Sequence, residues 1–224
     1  MSSLLLLDGS PRGARSNSWK MLARVGEGWT AAGGEEPRVL HLARKADFAE
    51  AAAAFGEADR VVLGMPLYTD SMPALVKSFI EQLGPRSGRD DNPLVGFLVQ
   101  SGFTEALHSR PLEAYLAKLS TRIGGGYAGT IVHGGGEALQ AMPDEASGKL
   151  WADLRTLGAS LAQDGRFDEA ALVRVAGVER FSPFTAAVMS LASRVRIVNF
   201  YWNGQLKKND AWKKRFAAPY AEPR

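Results

Sequence analysis

Between Gly9 and Ser18 the chain reads GSPRGARSNS. Ser10, Ser16, Asn17 and Ser18 offer short hydroxyl and amide groups, Arg12 and Arg15 offer positive charge, and Ser16 or Asn17 can cap a helix that begins beside them. Unpaired backbone N–H groups and the positive dipole end at a helix start favour an anion, and phosphate suits them. Taken alone, the turn serves equally well as a plain helix cap. A second stretch, Pro66 to Asp70 (PLYTD), brings proline, leucine and tyrosine to one loop. Such residues build an apolar and aromatic wall, which is what a flat ring system needs. A third, small polar loop runs Ser101-Gly102-Phe103-Thr104.

Each of these loops follows a segment that reads as a buried strand. Leu4 to Leu7 is an apolar run stopped by Gly9 and Pro11, while Arg60 to Met65 and Leu94 to Gln100 lead into the second and third loops. Arg38 to Leu42 and Tyr127 to His133 complete a set of five. Helices are expected between them. Ser18 to Ala32 repeats Trp19, Leu22, Val25 and Trp29 in steps of three and four, and Asp47 to Phe55 is alanine-rich. Met72, Leu75, Val76, Phe79, Ile80 and Leu83 form a strong stripe, with Asp70 or Ser71 able to cap it and Pro73 in its first turn. Two more helices run to about Thr121, with Pro111 near the start, and from Ser147 to Ala162.

Strands alternating with helices predict an α/β domain whose parallel sheet is covered on both faces. Right-handed crossovers make 2-1-3-4-5 the common open strand order, and its crevice lies where strand one meets strand three, at their carboxyl ends. The phosphate-suited turn then faces the PLYTD loop, and loop four opens on the same edge.

These motifs also carry a resemblance. GSPRGARSNS after strand one, with PLYTDSMPALVKSFIEQL after strand three, resembles the NADPH-dependent FMN reductase branch of the flavodoxin-like superfamily, a branch shared by the NAD(P)H:quinone reductases. It implies a flavodoxin-like three-layer sandwich with a five-stranded parallel sheet of order 2-1-3-4-5. It also implies FMN as cofactor, NADPH or NADH as electron donor, and a quinone, free flavin or other small-molecule acceptor, in a homodimer. Carried onto this chain, Ser10, Arg12, Ser16, Asn17 and Ser18 would hold the FMN phosphate. Pro66, Leu67, Tyr68 and Thr69 would border the isoalloxazine ring, and Ser101, Gly102 and Phe103 would complete its far edge. No catalytic residue is assigned, because hydride transfer rests on stacking nicotinamide against flavin rather than on a dedicated acid or nucleophile. Tyr68 or His133 is the candidate proton donor to a quinone. The C-terminal FYWNGQLKKNDAWKKRFAAPY also looks like the tail of some members, without an assigned chemistry. Two other readings stay open: an electron carrier that docks on partner proteins, and a non-catalytic interaction module retaining the fold. The turn is not the S/T-x-T-G-x-T type of carrier flavodoxins, which weighs against the first.

Composition narrows the field further. The 224 residues, 46% hydrophobic and 23% charged, suffice for one well-buried domain with an extension. With no cysteine there are no disulfides, thiolate nucleophiles or iron–sulfur clusters, and His41, His108 and His133 lack metal-binding spacing, so no metal is expected. Gly124 to Gly129 matches G-x-G-x-x-G, but it follows a helix and enters a strand, the reverse of a dinucleotide site. No G-x-S-x-G or Walker A pattern occurs. Without a signal peptide or an apolar run long enough for a membrane span, the protein is expected to be soluble and cytoplasmic. The net charge is +3, and Lys207, Lys208, Lys213, Lys214 and Arg215 cluster near the end, as a solvated tail rather than a nucleic-acid patch. The expected division is a flavodoxin-like FMN-binding domain over 1–163 and a helical extension over 164–224. In the extension, Phe184, Val188, Leu191, Val195, Val198 and Trp202 recur in steps of four and three, a seam for packing on the domain or on a subunit partner.

Overall fold

The computed structural model describes residues 2–84, 92–140, 143–194 and 199–218. Its strands are β1 (Leu4–Asp8), β2 (Arg38–His41), β3 (Arg60–Pro66), β4 (Leu94–Gln100) and β5 (Gly126–His133). They form one parallel sheet in the order β2-β1-β3-β4-β5, the expected arrangement. Because strand side chains alternate, the four leucines of β1 divide between two cores. Leu5 and Leu7 join Phe48, Phe55, Val76, Phe79 and Leu116 from α2 (Phe48–Glu57), α3 (Ala74–Leu83) and α4 (Arg110–Arg122). Leu4 and Leu6 join Leu22, Val25, Trp29, Leu154 and Leu157 from α1 (Asn17–Ala31) and α5 (Gly148–Asp164) on the other face. A strand covered on both faces has no polar side, hence the unbroken LLLL.

Two local expectations change. Pro73 has φ −58 and ψ 145, an extended residue just ahead of α3 rather than part of its first turn. Neither Asp70 nor Ser71 caps that helix, because both are taken up in a tight turn described below. A short 3-10 turn, Gly13–Arg15, also intervenes before α1, where the sequence carries no helical periodicity.

The compact unit that contains the sheet runs Met1–Arg180, well past the expected boundary at 163, and Phe181–Arg224 forms a second unit. Phe167, Ala171 and Val175, the last two on α6 (Glu169–Ala176), are buried in the same core as Leu4 and Leu6. Phe167 lies so close over the sheet that a Cβ on Gly96 would stand 2.8 Å from its ring. Farther on, the N–H groups of Ala106 and Leu107 donate to the carbonyls of Val178 (2.9 Å) and Glu179 (3.2 Å), and Arg110 grips the Glu179 carboxylate at 2.6 and 3.0 Å. These contacts hold 164–180 to the sheet, and Phe167, Ala171 and Val175, recurring in steps of four, are the apolar stripe that packs there. In the second unit, α7 (Pro183–Arg194) and α8 (Phe200–Lys208) carry the residues of the expected seam that can be placed; Val195 and Val198 lie outside the described residues.

Candidate functional site

The carboxyl ends of β1 and β3 lie side by side, and the Gly9 N–H donates to the Gly64 carbonyl at 2.7 Å. A side chain at Gly9 would collide with Val76, so the chain can turn here only without one. In the turn that follows, Gly13 N–H donates to Ser10 O (3.0 Å), Arg12 N–H to Ser10 Oγ (3.3 Å) and Ser16 N–H to Gly13 O (2.8 Å). Ser16 is the N-cap of α1, and its Oγ accepts from Trp19 N–H at 2.9 Å. Asn17 and Ser18 in that first turn keep backbone N–H groups with no intrahelical acceptor.

Facing this turn, the loop after β3 is pinned by Leu67 N–H donating to Gln100 O at 2.8 Å. Tyr68 and Ser71 exchange two backbone bonds, 2.9 and 3.1 Å, around Thr69 (φ 48) and Asp70 (φ 60). Two left-handed central residues are the pattern of a type I′ turn. Holding a β-branched threonine there is strained backbone, and Tyr68 is left 45% exposed at the rim. The loops after β4 (loop four, from Ser101) and β5 (loop five, from Gly134) are tied together: Gly136 N–H donates to Ser101 O and Gly135 N–H to Phe103 O, both at 2.7 Å. Gly136 also has no room for a Cβ, which would strike the Gln100 amide. Asn17 Nδ2 reaches across to the Gly136 carbonyl at 2.7 Å and joins the start of α1 to loop five.

The resulting cleft, a shallow one of about 70 Å³, is lined by Ser10, Arg12, Ser16, Asn17, Pro66, Leu67, Tyr68, Ser101 and Gly102. Gln100 and Glu137 join them, two residues that sequence reasoning missed. Three residues expected at the site do not line it. The hydroxyl of Ser18 is enclosed in the protein, Thr69 is used in the turn, and Phe103 is exposed, its ring centroid 4.3 Å from that of His108. His133 is not on the cleft either. Its Nδ1–H donates to Val175 O at 2.8 Å, and burial pushes its pKa below the ordinary value, so it is a structural histidine.

Beneath the turn sits Asp8, fully buried at the end of β1. Its Oδ1 accepts from Ser10 N–H (3.1 Å) and Ser16 Oγ (3.3 Å), and its Oδ2 lies 2.9 Å from His41 Nδ1. Burial pushes this carboxyl above the ordinary range, against the opposing pull of His41, Ser10 and Ser16. Asp8 thus orients two of the hydroxyl residues that line the cleft. The signal was present: an acidic residue closing an apolar strand sits where the sheet meets the crevice. Glu137 has no such signal, since only the path of loop five brings it within 3.9 Å of Arg12.

One buried polar atom beside the cleft is unsatisfied. Asn17 is 2% exposed, its Nδ2 is committed to Gly136, and its Oδ1 has no partner. Like the Ser18 hydroxyl, this oxygen is enclosed in the protein, an exception to the rule that buried acceptors are satisfied. No group of three or more acidic or histidine side chains among the described residues is placed to hold a metal ion.

Residues 2–84, which include both the turn after β1 and the loop after β3, match the model of a family described as having a flavodoxin-like fold. The fold is flavodoxin-like. Solved structures with a similar course include an NAD(P)H:quinone oxidoreductase from Methanothermobacter marburgensis (19% identity, 72% of this chain and 96% of that one, TM-score 0.59). Another is an FMN-dependent NADH-azoreductase from Bacillus anthracis in complex with FMN (14% identity, 72% and 100%, TM-score 0.56). A third is an NADH:FMN oxidoreductase in its apo form (17% identity, 83% and 99%, TM-score 0.57). No curated protein matches the chain. In this flavodoxin-like domain the cleft occupies the switch point between β1 and β3, where such sheets take their ligands.

Proposed function

We propose that this chain is an FMN-dependent oxidoreductase that takes electrons from NADPH or NADH and passes them to a quinone, free flavin or other small acceptor. The observation that carries the reading is the meeting, in one switch-point cleft, of Ser10, Arg12, Ser16 and Asn17 with Pro66, Leu67, Tyr68, Ser101 and Gly102. The activities named for the similar structures point the same way.

The donor set suits FMN. A phosphate monoester with about 1.5 to 2 negative charges calls for charge-assisted donors. Arg12, the hydroxyls of Ser10 and Ser16 and the N–H groups of Asn17 and Ser18 supply them; Ser18 acts through its backbone, since its hydroxyl is enclosed. Pro66 and Leu67 form an apolar wall for the ring, and Tyr68 and Gly102 border it from opposite loops. FMN, when bound, supplies the hydride acceptance and release. The chain binds, orients and shields, and it leaves one side of the cleft open for a second planar molecule.

Titrating the purified protein with FMN while following flavin fluorescence tests binding, and a protein that neither retains nor takes up FMN overturns the proposal. Oxidation of NADPH or NADH by the isolated flavoprotein, with a quinone present, then separates an enzyme from an electron carrier, which would show almost none.

A further inference from the structure

Charge is divided unevenly between the two units. Phe181–Arg224 holds eight Lys and Arg against two Asp and Glu, a net +6, whereas Met1–Arg180 holds nineteen against twenty-two, a net −3. An asymmetry of this kind marks a segment built for an anionic partner. The same unit exposes large apolar side chains. Phe184, Val188 and Leu191, in steps of four and three on α7, are exposed, the first by 78%, and Phe200 and Phe216 are exposed by 86% and 85%. On α7 the spacing puts these groups on one helix face, an apolar strip of the kind that marks an interaction surface.

Charge and apolarity are ordered along the unit. From Phe181 to Ser193 there is no charged residue. The cations follow: Arg194 at the end of α7 and Arg196 after it in the sequence, exposed Lys207 and Lys208 in the last turn of α8, then exposed Lys213, Lys214 and Arg215 around a 3-10 turn. Aromatic rings lie among them, with Arg215 4.0 Å and Lys207 5.4 Å from the Trp212 ring centroid, and Arg215 4.8 Å from that of Phe216.

We infer that Phe181–Arg224 docks on an anionic membrane surface, seating the apolar face of α7 and its exposed phenylalanines at the headgroup boundary and the Lys207–Arg215 cluster against lipid phosphates. Aromatic rings and long basic side chains share that boundary because each has an apolar body and a polar or charged end. Anionic headgroups attract each nearby Lys or Arg, and several together turn weak partition into stable docking. The docking is superficial: no helix among the described residues is long and apolar enough to cross a membrane. A nucleic acid fits less well, because bases stack on free ring faces, while α7 has no cation before Arg194 at its end and the Trp212 ring already carries two. A second copy of this unit brings the same +6, which like-charge repulsion opposes.

The inference stands apart from FMN binding, and its test needs no turnover. The full-length protein is floated on a density gradient with vesicles of phosphatidylcholine alone or mixed with phosphatidylglycerol, at low and at physiological salt. The expected result is flotation with the phosphatidylglycerol vesicles, weaker at higher salt, and little with phosphatidylcholine. The quadruple variant Lys207→Gln, Lys208→Gln, Lys213→Gln, Lys214→Gln should lose on the order of tenfold or more of this binding with its melting temperature unchanged. Phe184→Ser with Leu191→Ser should weaken it as well. Protein that stays at the bottom with anionic vesicles overturns the inference, as does binding that neither variant alters. Binding to a single-stranded oligonucleotide, or self-association in light scattering, in place of vesicle binding also overturns it and assigns the surface to that partner.

Discussion

Arg12 faces Glu137 across the cleft mouth at 3.9 Å, so the guanidinium offered to a phosphate already has an anionic neighbour. Both side chains are about half exposed, and water screens the pair. A hydrogen bond to a charged group contributes about 1.5–3 kcal/mol, so Arg12→Ala should weaken FMN binding by that amount. Unchanged affinity in the fluorescence titration would put the phosphate elsewhere. Glu137→Gln should act in the opposite direction, tightening FMN by about 0.2–1 kcal/mol, less as salt is added. Asp8 supplies a pH test. Its native pKa is raised above the ordinary 3.8, so the folded state holds this proton more tightly than the unfolded chain does. The stability this carboxyl contributes is complete below 3.8 and is lost as pH rises through the higher native value. Unfolding free energies of Asp8→Asn and the parent, measured from acid to neutral pH, should therefore diverge in the variant's favour as pH rises. A difference that stays flat would show that the bonds from His41, Ser10 and Ser16 cancel the burial.

Among the elements, the turn Tyr68–Ser71 holds strain that its sequence does not advertise. Thr69 and Asp70 occupy left-handed backbone where glycine or asparagine is usual. Thr69→Gly should stabilise the protein by about 1 kcal/mol in urea unfolding, the left-handed cost less the entropy that glycine adds to the unfolded chain. It should also loosen Tyr68, so FMN binding weakens while stability rises, a split that a merely structural turn would not show. Phe167 is the opposite case, a single side chain that seals the sheet over Gly96 and Gly129. Phe167→Ala should cost about 3–5 kcal/mol of stability, the usual range for emptying a buried aromatic site.

For the molecule as a whole, the boundary at Arg180 has a direct consequence. A chain ended after Arg180 keeps both cores and the cleft, and should unfold cooperatively and bind FMN as the full chain does. A chain ended after Gln163 loses Phe167, Ala171 and Val175 from a core they help to fill, and should show little cooperative unfolding in calorimetry. Equal behaviour of the two would return the boundary to 163.

Local patterns in the sequence were enough for the strands, most helices, the strand order and the two motifs that meet at the switch point. Alternation, helical spacing and turn residues act over a few positions, and crossover handedness leaves few ways to assemble five βα units. Ser16 as the cap of α1 was legible for the same reason. Glu137 and Gln100 at the cleft, the withdrawal of Ser18, Thr69 and Phe103 from it, and the extension of the domain over Phe167 to Glu179 were decided by tertiary structure. Each depends on groups far apart in the chain, such as Asn17 with Gly136 or Arg110 with Glu179, whose meeting is set by how the loops are tied together. Residue type says what a side chain can do; the path of the backbone decides whether it does so at the cleft or inside the core.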